Sequence, residues 1–147
     1  MKKTAKKEKI GFYFRETIIW IIIALLFFLD RTTKEFSKYK TFNTGISFSL
    51  LSDSVFFPII LAINVIFLIA IIFIFFRINK KDRKNPLLNL GFIFIISGAL
   101  GNLYDRIFYN SVIDFINICD YLPTFNFADV FNLIGVLLII IYLLRRK

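Results

Sequence analysis

Four apolar runs dominate the sequence, near residues 12–29, 55–76, 87–103 and 128–144, and each is long enough to cross the hydrocarbon core of a bilayer as a helix. Lipid offers no partners to backbone N–H and C=O groups, so runs of this kind select helices, which satisfy those groups within the segment. The first run, from Phe12 to Leu29, covers about 27 Å at about 1.5 Å per residue, with Arg15 and Glu16 at its inner edge where long side chains reach water. The basic stretch ahead of it has the look of a signal peptide. No small-residue cleavage site follows, so the run is read as a retained first span. Composition agrees, since 58% of the 147 residues are hydrophobic against roughly 45–50% in soluble globular domains. The expected fold is a single all-α membrane domain over residues 1–147, with four transmembrane helices, a small extracytoplasmic β-like element and an outer loop segment.

Charge placement gives the orientation. Fourteen of the nineteen Lys and Arg residues fall in three flanks, up to Arg15, between Arg77 and Lys84, and from Arg145 onward. Short flanks rich in Lys and Arg stay in the cytoplasm, so both termini are placed inside. The other side holds Arg31, Lys34, Lys38, Lys40 and Arg106. Because this distribution follows topology and builds no groove-reading element, the net charge of +9 does not indicate nucleic acid. Acids run the opposite way: Asp30, Glu35, Asp53, Asp105, Asp114, Asp120 and Asp129 lie outside, and Glu8, Glu16 and Asp82 inside. Acids contribute little to orientation, so their gathering points to a functional outer face.

The chemistry available is narrow. The chain has no histidine, which removes imidazole-ligated zinc and every Ser-His or Cys-His arrangement, and Cys119 alone forms neither an intrachain disulfide nor a thiolate cluster. Carboxylates, lysines, hydroxyls and amides remain. No metal and no cofactor is expected.

Within the first outer loop, Ile46, Phe48 and Leu50 alternate with Ser47 and Ser49 after Gly45, which reads as a short strand whose apolar face packs on lipid, on a lipid-bearing ligand, or simply over the helix ends. Asn102, Asp105 and Arg106, spaced i, i+3, i+4, share one helical face at the outer end of the third span. A local Asp105–Arg106 cap is the plain explanation for the last two. Asp114 is a lone acid in an apolar segment, a setting that raises a carboxyl pKa, although an exposed acid on an amphipathic edge has the same pattern. Asn126, Asp129 and Asn132 recur every third residue at the start of the fourth span, facing the bundle. Asp129 also suits ordinary helix capping. Asp30 and Lys34, at i, i+4, suit a helix-end ion pair, and Lys34 is also placed to reach substrate or lipid headgroups.

In order along the chain, Asp30-x-x-Thr33-Lys34, Asn43-x-Gly45-x-x-Phe48, Gly98-x-x-Gly101-Asn102-x-x-Asp105-Arg106, Val112-Ile113-Asp114-Phe115 and Phe125-Asn126-x-Ala128-Asp129 resemble the lipoprotein signal peptidase (signal peptidase II) family. Departures are Ser97 for a usual glycine, Asn110-Ser111 for a glycine-containing approach to the aspartate, and Val130 for a frequent serine. The resemblance implies an aspartic endopeptidase with Asp114 and Asp129 as a catalytic dyad sharing one proton. It implies cleavage of diacylglyceryl-modified prolipoproteins on the amino side of the lipid-bearing cysteine. Asn102 and Asn126 then position the dyad or a substrate amide, Asp105 and Arg106 fix the architecture, Asn43 and Gly45 contact the peptide, and Asp30 and Lys34 are structural or interfacial. The setting implied is a monomer in the bacterial cytoplasmic (inner) membrane, in contact with membrane lipid, its site near the outer face.

A proton- or ion-conducting protein is the main non-enzyme alternative, and it calls for polar residues along the spans. The inner halves of the first and fourth runs are nearly all Ile, Leu, Val and Phe, with Asn64 and Asn89 as isolated exceptions elsewhere. An assembly subunit, the other alternative, gives no reason for paired outer aspartates beside asparagines.

Overall fold

The computed structural model describes residues 2–45, 56–78, 82–119 and 121–146. Four helices, α1 (Lys2–Phe36), α2 (Phe57–Arg77), α3 (Pro86–Tyr109) and α4 (Phe127–Arg145), alternate with two short strands, β1 (Thr41–Asn43) and β2 (Val112–Asp114). Their limits follow local chemistry. Pro58 sits in the first turn of α2, and the helix stops where Ile78 turns extended. The Asn85 side chain accepts from Leu87 N–H at 2.9 Å to cap α3, with Pro86 next to it. Asn110 ends α3 in the left-handed region at φ 54°, a conformation asparagine tolerates better than most residues. The departure from glycine at this point therefore keeps the turn.

Two helices exceed their apolar runs. α1 begins at Lys2 and continues to Phe36, beyond 12–29, because Lys, Glu and Arg are good helix formers once outside hydrocarbon. α3 continues from Leu103 to Tyr109 through Asp105 and Arg106, both buried. α2 and α4 lie close to the expected 55–76 and 128–144. The strand expected across Ile46–Leu50 lies outside the described residues, as do Asp53 and Asp120. β1 forms just before Gly45 and pairs antiparallel with β2, setting Thr41 opposite Asp114, Phe42 opposite Ile113 and Asn43 opposite Val112.

α1, α2 and α4 all pack on α3. By length and composition α2, α3 and α4 are able to cross a membrane, and the most apolar stretch of α3 is 61% buried against 17% for α2 and 22% for α4. α3 is thus the centre. α2 and α4 turn Ile66, Phe73, Leu133 and Leu137 outward, an apolar exterior suited to lipid. α3 and α4 meet at glycines, since a Cβ on Gly91 would lie 2.6 Å from Ile139 and one on Gly135 2.7 Å from the Gly91 carbonyl. At the end bearing the amino terminus, Glu16 pairs with Arg83 at 2.6 Å. There Asp82 accepts from Tyr142 at 2.8 Å and pairs with Arg146 at 3.0 Å.

Candidate active site

At the opposite end, β2 delivers Asp114 and the first turn of α4 delivers Asp129. Asn126 connects them. Its Nδ2 donates to Asp114 Oδ1 at 2.6 Å, its Oδ1 accepts from Asp129 N–H at 3.0 Å, and its own N–H donates to Asp129 Oδ2 at 3.2 Å. The last two bonds form a reciprocal cap, so the residue that starts α4 also holds both carboxyls. Asn102, one helix away, donates to Asp129 Oδ1 at 2.8 Å and accepts from Asn126 at 3.2 Å. Asn43 on β1 reaches Asp114 Oδ2 at 3.4 Å and accepts from Gly45 N–H at 3.0 Å.

Behind this group lies a buried ionic cluster. The Lys34 amine sits 2.8 Å from Asp30 Oδ2 and 2.8 Å from Asp105 Oδ2, with all three side chains wholly buried, and Arg31 also pairs with Asp105. Each acid carries a second task. Asp30 Oδ1 accepts the Ala128 N–H at 2.9 Å, one of the unpaired donors at the start of α4, and Asp105 Oδ2 accepts the Ile113 N–H at 3.1 Å. The cluster thereby fastens the two segments bearing Asp129 and Asp114. Gly101 makes room for it, since a Cβ there would lie 2.6 Å from Asp30 Oδ2.

Two expectations are corrected. Asp105 pairs with Arg31 and Lys34 and not with Arg106, which turns to the Gly45 carbonyl at 3.2 Å and the Asn102 carbonyl at 3.4 Å. Lys34 is buried and spent on Asp30, Asp105 and Asn102, so it is not presented to substrate or headgroups. Ser97, in place of glycine, settles its hydroxyl on the Ile93 carbonyl at 2.7 Å.

A cleft of about 460 Å³ opens over the pair, lined by Asn43, Asn102, Arg106, Asp114 and Asp129, with Ile63, Asn64 and Phe67 of α2 forming one wall. Burial, and then the nearby charge of Asp129, push the Asp114 carboxyl up to about 6, while donors on Asn126 and Asn43 oppose the rise. Among the described residues no three His, Cys, Asp or Glu side chains gather as a metal site.

Sequence reasoning placed Asn43, Gly45, Asn102, Asp105, Arg106, Asp114, Asn126 and Asp129 in one neighbourhood, and the structure brings them together. It missed Arg31, counted there only as charge, and Asn64, set aside as an exception. The available signal was the isolation of Asn64 among apolar residues of α2.

The family model for signal peptidase (SPase) II matches residues 20–145. The lipoprotein signal peptidase of Wigglesworthia glossinidia brevipalpis is 39% identical over 140 residues, covering 82% of this chain and 90% of that one. That of Clostridium novyi (strain NT) is 37% identical over 108 residues, covering 71% and 70%. A bacterial membrane enzyme solved by the in meso method superposes with a TM-score of 0.75 at 28% identity, over 88% of each chain. The match spans α2, α3 and α4 whole and α1 from Trp20 onward, and on it the chain belongs to the signal peptidase II family.

Proposed function

We propose that this protein is a membrane aspartic endopeptidase that removes signal peptides from diacylglyceryl-modified prolipoproteins, cutting on the amino side of the modified cysteine, with Asp114 and Asp129 as its catalytic pair. The observation that carries this reading is the Asn126 side chain bonded at once to the Asp114 carboxyl and the Asp129 backbone, with both carboxyls on one cleft. Burial is the larger cause of the raised Asp114 carboxyl, and the charge of Asp129 adds to it, because two neighbouring carboxyls resist ionising together.

In the one-proton state the ionised carboxyl takes a proton from water, whose oxygen attacks the scissile carbonyl carbon. The protonated carboxyl gives its proton to the carbonyl oxygen. Collapse of the tetrahedral intermediate breaks the C–N bond as a proton passes to the leaving amine. The proton belongs to the pair, so its titration is a property of both groups. Asn102 and Asn126 hold the carboxyls, Arg106 and Asn43 hold the loop at Gly45 beside the cleft, and Asp30, Lys34 and Asp105 anchor the two segments.

The supporting topology is one domain with α1 as a fourth span, both termini in the cytoplasm, and the pair near the outer face of a bacterial inner membrane, acting as a monomer. A lipid-bearing substrate is confined to that surface, which is where a cleft walled by α2 would meet it.

The test is cleavage of one prolipoprotein with and without its diacylglyceryl group. Asp114→Asn and Asp129→Asn each lower cleavage of the modified form by at least about 10³-fold without preventing membrane insertion. Full activity in either folded variant would sink the assignment. A chelator leaves the rate unchanged, and activity that is lost with chelator and restored by metal would refute a metal-free mechanism.

A further inference from the structure

The end of the bundle that bears the amino terminus holds a cavity for which the proteolytic reading has no use. It lies between the last turns of α2 and α4, over the start of α3, and measures about 300 Å³. Leu88 and Phe92 of α3 are buried and form its floor, while Ile74, Ile139 and Leu143 supply its sides. Ile74 is 48% exposed and Leu143 55%, so these sides run on into the apolar exterior that suits lipid.

The rim is basic. Arg77, in the last turn of α2, and Arg146, just past α4, both line this cavity and are both exposed. Arg146 also lines an adjoining cavity of about 600 Å³, which Arg145 shares. Among the described residues that line the two, Asp82 is the one acid, so three guanidinium groups face a single carboxylate. That carboxylate is already engaged, accepting from the Tyr142 hydroxyl at 2.8 Å and pairing with Arg146 at 3.0 Å. Asp82 thereby fixes Arg146 at the rim without covering it, since the Arg146 side chain stays 55% exposed and a guanidinium has five N–H donors.

A single arginine at a helix end is an ordinary interfacial anchor, which reaches any headgroup nearby. Here arginines from two different helices converge on one cavity whose floor and sides are apolar. A soluble anion leaves those walls idle, and a zwitterionic lipid leaves the excess positive charge unmatched. We propose that this groove binds an anionic glycerophospholipid, with its phosphodiester held by Arg77 and Arg146 and one acyl chain lying over Leu88 and Phe92. The planar fork of arginine suits two phosphate oxygens at once. Such a lipid bridges α2 and α4, each of which packs on α3. The site is at the far end of the helices from Asp114 and Asp129, and it depends neither on the catalytic assignment nor on which leaflet it meets.

The experiment is native mass spectrometry of the full chain released from mixed micelles that hold equal amounts of phosphatidylglycerol and phosphatidylcholine with the same acyl chains. The wild type retains phosphatidylglycerol in preference, and Arg77→Gln and Arg146→Gln each lower that preference about fivefold. Lys84→Gln removes a charge that is exposed at the same end but lines neither cavity, and it leaves the preference nearly unchanged. A loss in Lys84→Gln equal to that in Arg77→Gln shows only diffuse attraction of anionic lipid and overturns the site. Two arms on the wild type stand without any variant's folding. Equal retention of the two lipids overturns the proposal, and so does displacement of the bound phosphatidylglycerol by excess glycerol phosphate, which would make this a site for soluble anions.

Discussion

Asp114 is where burial, a neighbouring carboxyl and two amide donors compete for one proton. Folding lifts its carboxyl from 3.8 to about 6, so the folded chain binds this proton more tightly than the unfolded chain. Its favourable contribution to stability is complete below 3.8 and lost as pH rises through about 6. Asp114→Asn stays neutral throughout, so at about pH 8 it unfolds at a higher temperature than the wild type, and the gap narrows toward about pH 4 in thermal scans. The same shift bears on catalysis. Deprotonation of the pair ends the one-proton state, which gives kcat/KM a falling limb as pH rises. Asn43 donates to the charged carboxylate, so Asn43→Ala moves that limb to higher pH. A limb displaced downward would contradict the assigned balance of forces.

At the scale of elements, the site depends on how closely helices approach. Gly101 faces an Asp30 side chain already fixed by Ala128 N–H and Lys34, so it has no freedom to yield. Gly101→Ala therefore displaces the start of α4, costs about 1–3 kcal/mol of stability and lowers cleavage by at least about tenfold. Gly11→Ala, where nothing lies within 4 Å, serves as the neutral comparison. Thermal unfolding and initial rates check both. Helix starts were legible where apolar runs begin, near Leu87 and Ala128, each one residue inside the observed start of α3 and α4. They were not legible in α1, whose charged ends are as helix-compatible as its apolar middle. The β1–β2 pairing was hidden because each strand has three residues and Asn43 meets an aspartate 71 positions away. For the same reason Asp105 was readily matched to its sequence neighbour Arg106, although its partners arrive from α1. The five short motifs named residues that the structure brings into one neighbourhood, while chain distance concealed who bonds to whom.

For the whole molecule, the acids gathered around Asp114 and the ties among Glu16, Arg83, Asp82 and Arg146 lie at opposite ends of the helices. Cys119, exposed in the segment before α4, reports one of them and Lys84, also exposed, the other. A membrane-impermeant maleimide labels Cys119 in intact spheroplasts, and labels a Lys84→Cys, Cys119→Ser chain only after permeabilisation. The reverse pattern would invert the topology. The Lys34 cluster also has a history within synthesis. Its first counter-ion, Asp30, is one turn back on the same helix, so α1 leaves the ribosome with that ammonium already neutralised. Asp105 emerges much later, and Ile113 and Ala128 later still. The pair that balances charge within α1 thus becomes, residue by residue, the mooring to which the later-made segments bearing Asp114 and Asp129 are tied.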